Sequence, residues 1–276
     1  KGIKMNESEF SVQSSIANKM IQIKSGKMAK QANGSITLQV GNTIILATAC
    51  MSKTAKEGID FLPLTVEYTE KMYSAGKIPG GFFKREARPS TAETLIARLI
   101  DRPLRPSFPK EFHNDIQIII NVISHDPNVV TEPLTIIAAS AALSISDIPF
   151  NGPIGAVNVG YVDNAFIFNP TTEELKNSDL NLTIAGTKDA ILMVEASANE
   201  LSEEQLIQAI LEGHDYIKQS IALQEDLQSK TSKEKISLPE APQEIKEYET
   251  KIKEFLGNKI STGLTQSNDK QAVEDI

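Results

Sequence analysis

The segment that most limits how this chain can fold is residues 133–146. Leu134, Ile136, Ile137, Ala138, Ala139, Ala141, Ala142 and Leu143 leave it with almost no polar face. A helix that is apolar nearly all round has to be buried, and Pro133 suits its first turn, where a missing N–H is not needed. Such a helix must be covered by other elements, and the rest of the chain supplies strands. Residues 35–40 alternate apolar and polar, Gly41-Asn42 is a two-residue turn signal, and residues 43–50 follow as a more buried strand. Residues 61–68, with Pro63 near the start, and the β-branched run 116–124 read as further strands. Residues 155–162 and 165–169 form a hairpin pattern. A short helix over 172–177 and strands over 180–185 and 190–196 come next.

Two other helices carry start signals. Ser90 with Glu93 makes a capping box ahead of the stripe Leu95, Ile96, Leu99 and Ile100, and Pro103 is expected to stop that helix near Arg102. Ser202 with Gln205 caps a long amphipathic helix running to about Leu227. The expected fold class is therefore α/β, with mixed sheets and buried helices, followed by an all-α segment. The expected division is one domain over residues 1–229, a charged linker with Pro239 and Pro242 over 230–242, and the start of a helical domain over 243–276. The apolar period is cut at Ile276, so the chain is expected to belong to a longer one.

Cys50 is the only cysteine, which rules out an intrachain disulfide and suits a reducing compartment. Its apolar neighbours predict a buried structural thiol. No stretch approaches the ~18 apolar residues of a membrane span, and residues 1–13 hold no signal-peptide core. A soluble, cytoplasmic protein without membrane contact is expected. His113, His125 and His214 are scattered without metal-ligand spacing, and no P-loop or dinucleotide glycine pattern occurs.

The net charge of −8 argues against nucleic acid until its distribution is considered. All five arginines lie in one window, as Arg85, Arg88, Arg98, Arg102 and Arg105, while the acidic excess gathers after Asn199. Local clustering matters more than net charge for binding a polyanion. Gly80-Gly81 frees the backbone to turn, and Phe82 and Phe83 stand beside Lys84, Arg85 and Arg88. Rings beside cations suit single-stranded RNA, which offers bases to stack and phosphates to neutralise. The competing reading makes the two rings core anchors. Arg98 and Arg102 share one helix face, off the apolar stripe, with Arg105 extending the row. Surface ion pairing with Glu93 and Asp101 is the competing reading for these.

The run Gly76-Lys77-Ile78-Pro79-Gly80-Gly81-Phe82-Phe83-Lys84-Arg85-Glu86-Ala87-Arg88-Pro89, followed by Arg98-Leu99-Ile100-Asp101-Arg102-Pro103-Leu104-Arg105-Pro106, resembles the first RNase PH-type domain of the bacterial polynucleotide phosphorylase family. The stretches Asp60 to Tyr68, Ala138-Ala139-Ser140-Ala141-Ala142-Leu143, Gly152-Pro153-Ile154-Gly155-Ala156, Ala185-Gly186-Thr187 and Met193-Val194-Glu195 extend the likeness over about residues 8–225. The last helices resemble the start of that family's helical linker domain.

The resemblance implies a phosphate-dependent 3′-to-5′ exoribonuclease working reversibly, with inorganic phosphate as co-substrate and Mg²⁺ assisting. It implies a homotrimeric ring around single-stranded RNA, with degradosome-type partners such as an endoribonuclease and a helicase. It also implies that phosphorolysis belongs to a second RNase PH-type domain, so no catalytic or metal-binding residue is assigned in this chain. Where that domain carries a phosphate-binding serine cluster, this chain has Val130-Thr131-Glu132. In the region matching the family's metal-binding carboxylates it has Glu173, Asp179 and Asn181. The RNA-binding residues carried over are Phe82, Phe83, Lys84, Arg85, Arg88, Arg98, Arg102 and Arg105. Ala87 stands where the family usually has Gly, and Lys84 where Arg is frequent, which loses the planar fork. The alternative is a non-catalytic RNA-binding ring subunit of exosome type, which would share the fold and the arginines. The helical segment after Pro242 favours the enzyme.

Overall fold

The computed structural model describes residues 9–56, 58–80, 86, 88–238 and 243–266. They fall into two compact units, Lys1–Ser237 and Leu238–Ile276.

The first unit is built from two sheets. Strands β1 (Phe10–Ile16), β2 (Lys19–Ser25), β3 (Gly34–Val40), β4 (Thr43–Met51), β5 (Leu64–Glu70) and β6 (Ile116–Ser124) form one sheet in the order β1-β2-β3-β4-β6-β5. All neighbours are antiparallel except β5 and β6. That parallel pair needs a crossover, and helix α1 (Thr91–Leu104) lies within it. Strands β7 (Gly155–Val162), β8 (Ala165–Phe168), β9 (Leu180–Gly186) and β10 (Ile191–Ala198) form a second, wholly antiparallel sheet in the order β10-β9-β7-β8.

Helix α2 (Glu132–Ile145) is the apolar segment, and it is buried from Pro133 to Ile145. It packs on β3, β4 and β6 of one sheet and on β7 and β9 of the other. With apolar cover on both sides, its lack of a polar face is stabilising rather than a liability. The approach to β3 is so close that a Cβ on Gly34 would lie 2.0 Å from the Ala142 carbonyl oxygen. A short helix α3 (Thr172–Lys176) precedes β9, and α4 (Glu203–Thr231) covers the second sheet. Val157, Val159, Leu182 and Ile184 of that sheet meet Ala209, Ile217 and Ile221 of α4.

Several elements differ from expectation. The hairpin β1–β2 was not predicted. Its turn, Ala17 and Asn18 at φ 50° and 61°, has the left-handed geometry of a two-residue hairpin, but Ala is a poor marker for it. Pro63 precedes β5 rather than sitting in it, and its carbonyl accepts from Ile116 N–H at 2.9 Å. Pro103 lies inside the last turn of α1 instead of stopping it. Near a helix end only one internal hydrogen bond is lost to proline. Cys50 is half-buried rather than buried.

Helix α4 runs four residues past Leu227, and the next residues are fastened to the first unit. Ile145 and Asp147 accept from the N–H groups of Lys233 and Ile236 at 3.1 and 2.9 Å. The Lys235 ammonium donates to the carbonyls of Leu143, Ser144 and Ser146 at 2.8, 3.1 and 2.7 Å. A cation on the last carbonyls of a helix complements its dipole. The stretch expected to be linker therefore contributes a cap for α2. The second unit contains α5 (Gln243–Leu256) and α6 (Lys259–Gln266), joined at Gly257 with φ 48°.

Candidate nucleic-acid interface

Helix α1 begins as its sequence requires. Ser90 Oγ accepts from Glu93 N–H and the Glu93 carboxylate accepts from Ser90 N–H, a complete capping box. The same carboxylate also accepts from Glu70 N–H, at the end of β5, at 2.9 Å. Partial burial pushes the Glu93 carboxyl up, but the N–H donors of Ser90 and Glu70 outweigh it and hold the group below the ordinary glutamate range.

The predicted arginines take different positions. Arg98 and Arg102, one helical turn apart, are exposed and line a groove of about 510 Å³. The α1 wall of the groove also carries Leu95, 60% exposed, and Ile96. Glu132, in the first turn of α2, lines it as well. Asn181 and Thr183 come from β9, and Glu195 from β10. Arg102 is ion-paired with Glu195, both side chains being about half exposed. Arg98 has no ion pair or hydrogen bond among the described residues.

Beneath the groove a polar network fixes β9 against β7. The buried Asn158 amide donates to Asn181 Oδ1 and Thr183 Oγ1, both at 2.9 Å. This network, Thr183 included, was not singled out by sequence reasoning. The only hint was polar residues inside otherwise apolar strands. Of the acidic residues weighed as metal ligands, Glu173 is exposed on α3, and Asp179 accepts from the Asn199 side chain at 3.3 Å. Neither lines the groove.

Arg105 is occupied by protein. Its Nε and Nη2 donate to the two Asp101 carboxylate oxygens at 3.0 and 2.8 Å. Nη1 and Nη2 donate to the carbonyls of Leu62 and Leu64, each at 3.2 Å. Arg88 is exposed in a second groove among Glu67, Glu70, Glu86 and Glu93. The Glu86 carboxylate accepts from Met72 N–H at 2.7 Å. Phe82, Phe83, Lys84 and Arg85 lie outside the described residues.

Chemically, the Arg98 groove offers two cations, an apolar ledge, an amide and hydroxyl floor, and two carboxylates. It lacks the donor set of a Mg²⁺ site. No group of three or more His, Cys, Asp or Glu is placed to hold a metal among the described residues, and both groove carboxylates share it with guanidinium groups. It is also a poor cradle for free phosphate, because Glu132 stands in the first turn of α2, where an anion would otherwise be favoured.

Comparisons with known proteins place this architecture. Residues 17–149 match the model of the 3′ exoribonuclease family, domain 1, and residues 152–216 match domain 2 of the same family. The first match covers β2 to β6 with α1 and α2, and the second covers the second sheet plus the start of α4. The chain belongs to the 3′ exoribonuclease family, of RNase PH type. Within it, the chain is a homologue of the polyribonucleotide nucleotidyltransferases. It is 48% identical over 259 residues to that of Heliobacterium modesticaldum, covering 94% of this chain and 36% of the relative. It is 52% identical over 240 residues to that of Geotalea uraniireducens, covering 86% and 34%. The chain thus spans about a third of the length of the curated relatives it matches. The crystal structure of rice Rrp46 shares the fold, with a TM-score of 0.59 over 80% of this chain and 95% of that one, at 16% identity.

Proposed function

We propose that this chain is the RNA-binding, ring-building portion of a phosphorolytic 3′-to-5′ exoribonuclease, and that phosphorolysis takes place in a second RNase PH-type domain. The observation that carries the proposal is the Arg98 groove. It presents cations to a strand while Glu132 disfavours free phosphate. Arg98 and Arg102 would meet successive backbone phosphates, and Leu95 and Ile96 give a base an apolar surface. Arg88, with Phe82, Phe83, Lys84 and Arg85 just before it in the sequence, would extend the contact along the strand in a trimeric ring. Identity near 50% to polyribonucleotide nucleotidyltransferases supports this reading over an exosome-type subunit.

Two measurements test it. The purified chain should release no nucleoside diphosphate from poly(A) supplied with phosphate and Mg²⁺; robust release would overturn the division of roles. Replacing Arg98 and Arg102 together by Ala should weaken binding of a single-stranded oligonucleotide and flatten its salt dependence by about 0.7 per lost phosphate contact. Unchanged affinity and slope would remove the groove from the RNA path.

A further inference from the structure

Strand β5 is the edge of the larger sheet. Alternate residues of a parallel strand direct their backbone groups to opposite sides. On the inner side, the Pro63 carbonyl accepts from Ile116 N–H of β6. The even-numbered residues of β5 therefore face outward, and an unpaired outer edge is a template for unwanted strand pairing. Helix α1 lies along that edge. Its side chains satisfy the outward groups at both ends: Arg105 donates to the carbonyls of Leu62 and Leu64, and Glu93 accepts from Glu70 N–H.

The spacing fits. From Glu93 to Arg105 a helix rises ~18 Å at 1.5 Å per residue. From Leu64 to Glu70 a strand spans ~20 Å at 3.3 Å per residue. Two charged side chains twelve residues apart on α1 thus reach the two ends of one strand. Asp101, one turn before Arg105, holds the guanidinium by both carboxylate oxygens and fixes its plane toward the strand.

We propose that Arg105 and Asp101, with Glu93, are positioning residues. They brace α1 against the edge of β5 and so aim Arg98 and Arg102 into the groove, while Arg105 itself does not contact RNA. The inference rests on the RNA reading of Arg98 and Arg102. It withdraws Arg105 from the row of RNA ligands. Arg105 has no free fork to offer a phosphate while four of its N–H···O contacts are made within the protein.

The test turns on sign. If Arg105 were an RNA ligand, Asp101→Asn would release its guanidinium and tighten RNA binding. If it is a brace, the same change loosens α1 and weakens binding. RNA affinity is measured by fluorescence anisotropy with a single-stranded oligoadenylate, and folding by circular dichroism melting. Asp101→Asn should lower affinity threefold or more. Arg105→Lys, which keeps the charge but loses the fork, should lower it by a similar factor. Asp101→Glu, which keeps the carboxylate, should stay within twofold of the parent. Tighter or unchanged binding by Asp101→Asn overturns the proposal. Should that variant not fold, Arg105→Lys decides, and parent-like affinity there overturns it. Failure of the RNA reading shows separately, as unchanged affinity when Arg98 and Arg102 are both replaced by Ala.

Discussion

The Arg102–Glu195 pair makes a prediction whose sign is unusual: removing a carboxylate should strengthen RNA binding. The formal charges lining the groove are Arg98, Arg102, Glu132 and Glu195, which sum to zero. Glu195→Gln would leave the groove at +1 and free Arg102 from its partner. The pair is about half exposed on both sides, so it holds itself together by only ~0.2–1 kcal/mol. A strand phosphate ~7 Å from the carboxylate is repelled by ~0.6 kcal/mol in bulk water. Screening at about 50 mM salt reduces that by roughly half. Together these terms correspond to tighter binding by about two- to ninefold at low salt, shrinking as salt rises. The assay is anisotropy titration of a single-stranded oligoadenylate at several salt concentrations, with Glu195→Asp as the charge-retaining control. Glu195→Gln should also steepen the salt slope by about 0.7 if Arg102 gains a phosphate. Weaker or unchanged binding by a folded Glu195→Gln protein would mean that Arg102 does not meet RNA.

Other tests concern the scaffold. Gly34→Ala puts a Cβ 2.0 Å from the Ala142 carbonyl oxygen, between an interior strand and a buried helix that cannot easily move. A loss of about 3 kcal/mol or more follows, seen as a melting temperature lower by roughly 6–12 °C; a shift under ~1 °C would refute the packing argument. Burial pushes the Lys235 ammonium down from 10.5 to about 8, while Asp147 pulls it partly back. The unfolded chain then binds the proton more tightly between those values, so the parent should gain stability relative to Lys235→Met as pH rises from about 8 to 10.5. Urea titrations at both ends of that window check the sign, and a relative loss with rising pH would contradict it. Limited proteolysis should cut first C-terminal to Ser237, where the two units divide; early cuts within 232–237 would show that the Lys235 cap does not hold.

Much of the fold was legible wherever one periodicity dominated. Helix α2 announced its burial because no rotation of its wheel offers water a polar side. The capping boxes at Ser90 and Ser202 formed as their residue types require. The first hairpin escaped because β1 has Gln13, Ser14 and Ser15 in its middle and no glycine at its turn. Only Val12 and Ile16 of β1 are fully buried, too few to reveal a period of two. The end of the first unit was misread for a different reason. Lys233 and Lys235 look like solvated linker charges in sequence, and only tertiary contact gives Lys235 the three carbonyls of α2.

The arginine window shows why site residues are harder to read than folds. Sequence placed five identical guanidinium groups within 21 positions, and local spacing correctly put Arg98 and Arg102 on one helix face. What separates their roles comes from far along the chain. Arg102 meets Glu195, 93 residues away, and Arg105 meets carbonyls 41 and 43 residues before it. Helical spacing can show that two side chains share a face, but not whether a third element has already claimed one of them. Arg98 finds no partner among the described residues although the same helix carries it. An arginine's availability to RNA is therefore set by the strand opposite it. On the proposed RNA reading, β10 supplies a carboxylate that a strand phosphate would displace, whereas the outer edge of β5 supplies carbonyls that Arg105 would not leave without uncovering the edge. Removing the carboxylate charge at position 195 and at position 101 should consequently act in opposite directions on the same RNA, a contrast that a uniform basic patch would not produce.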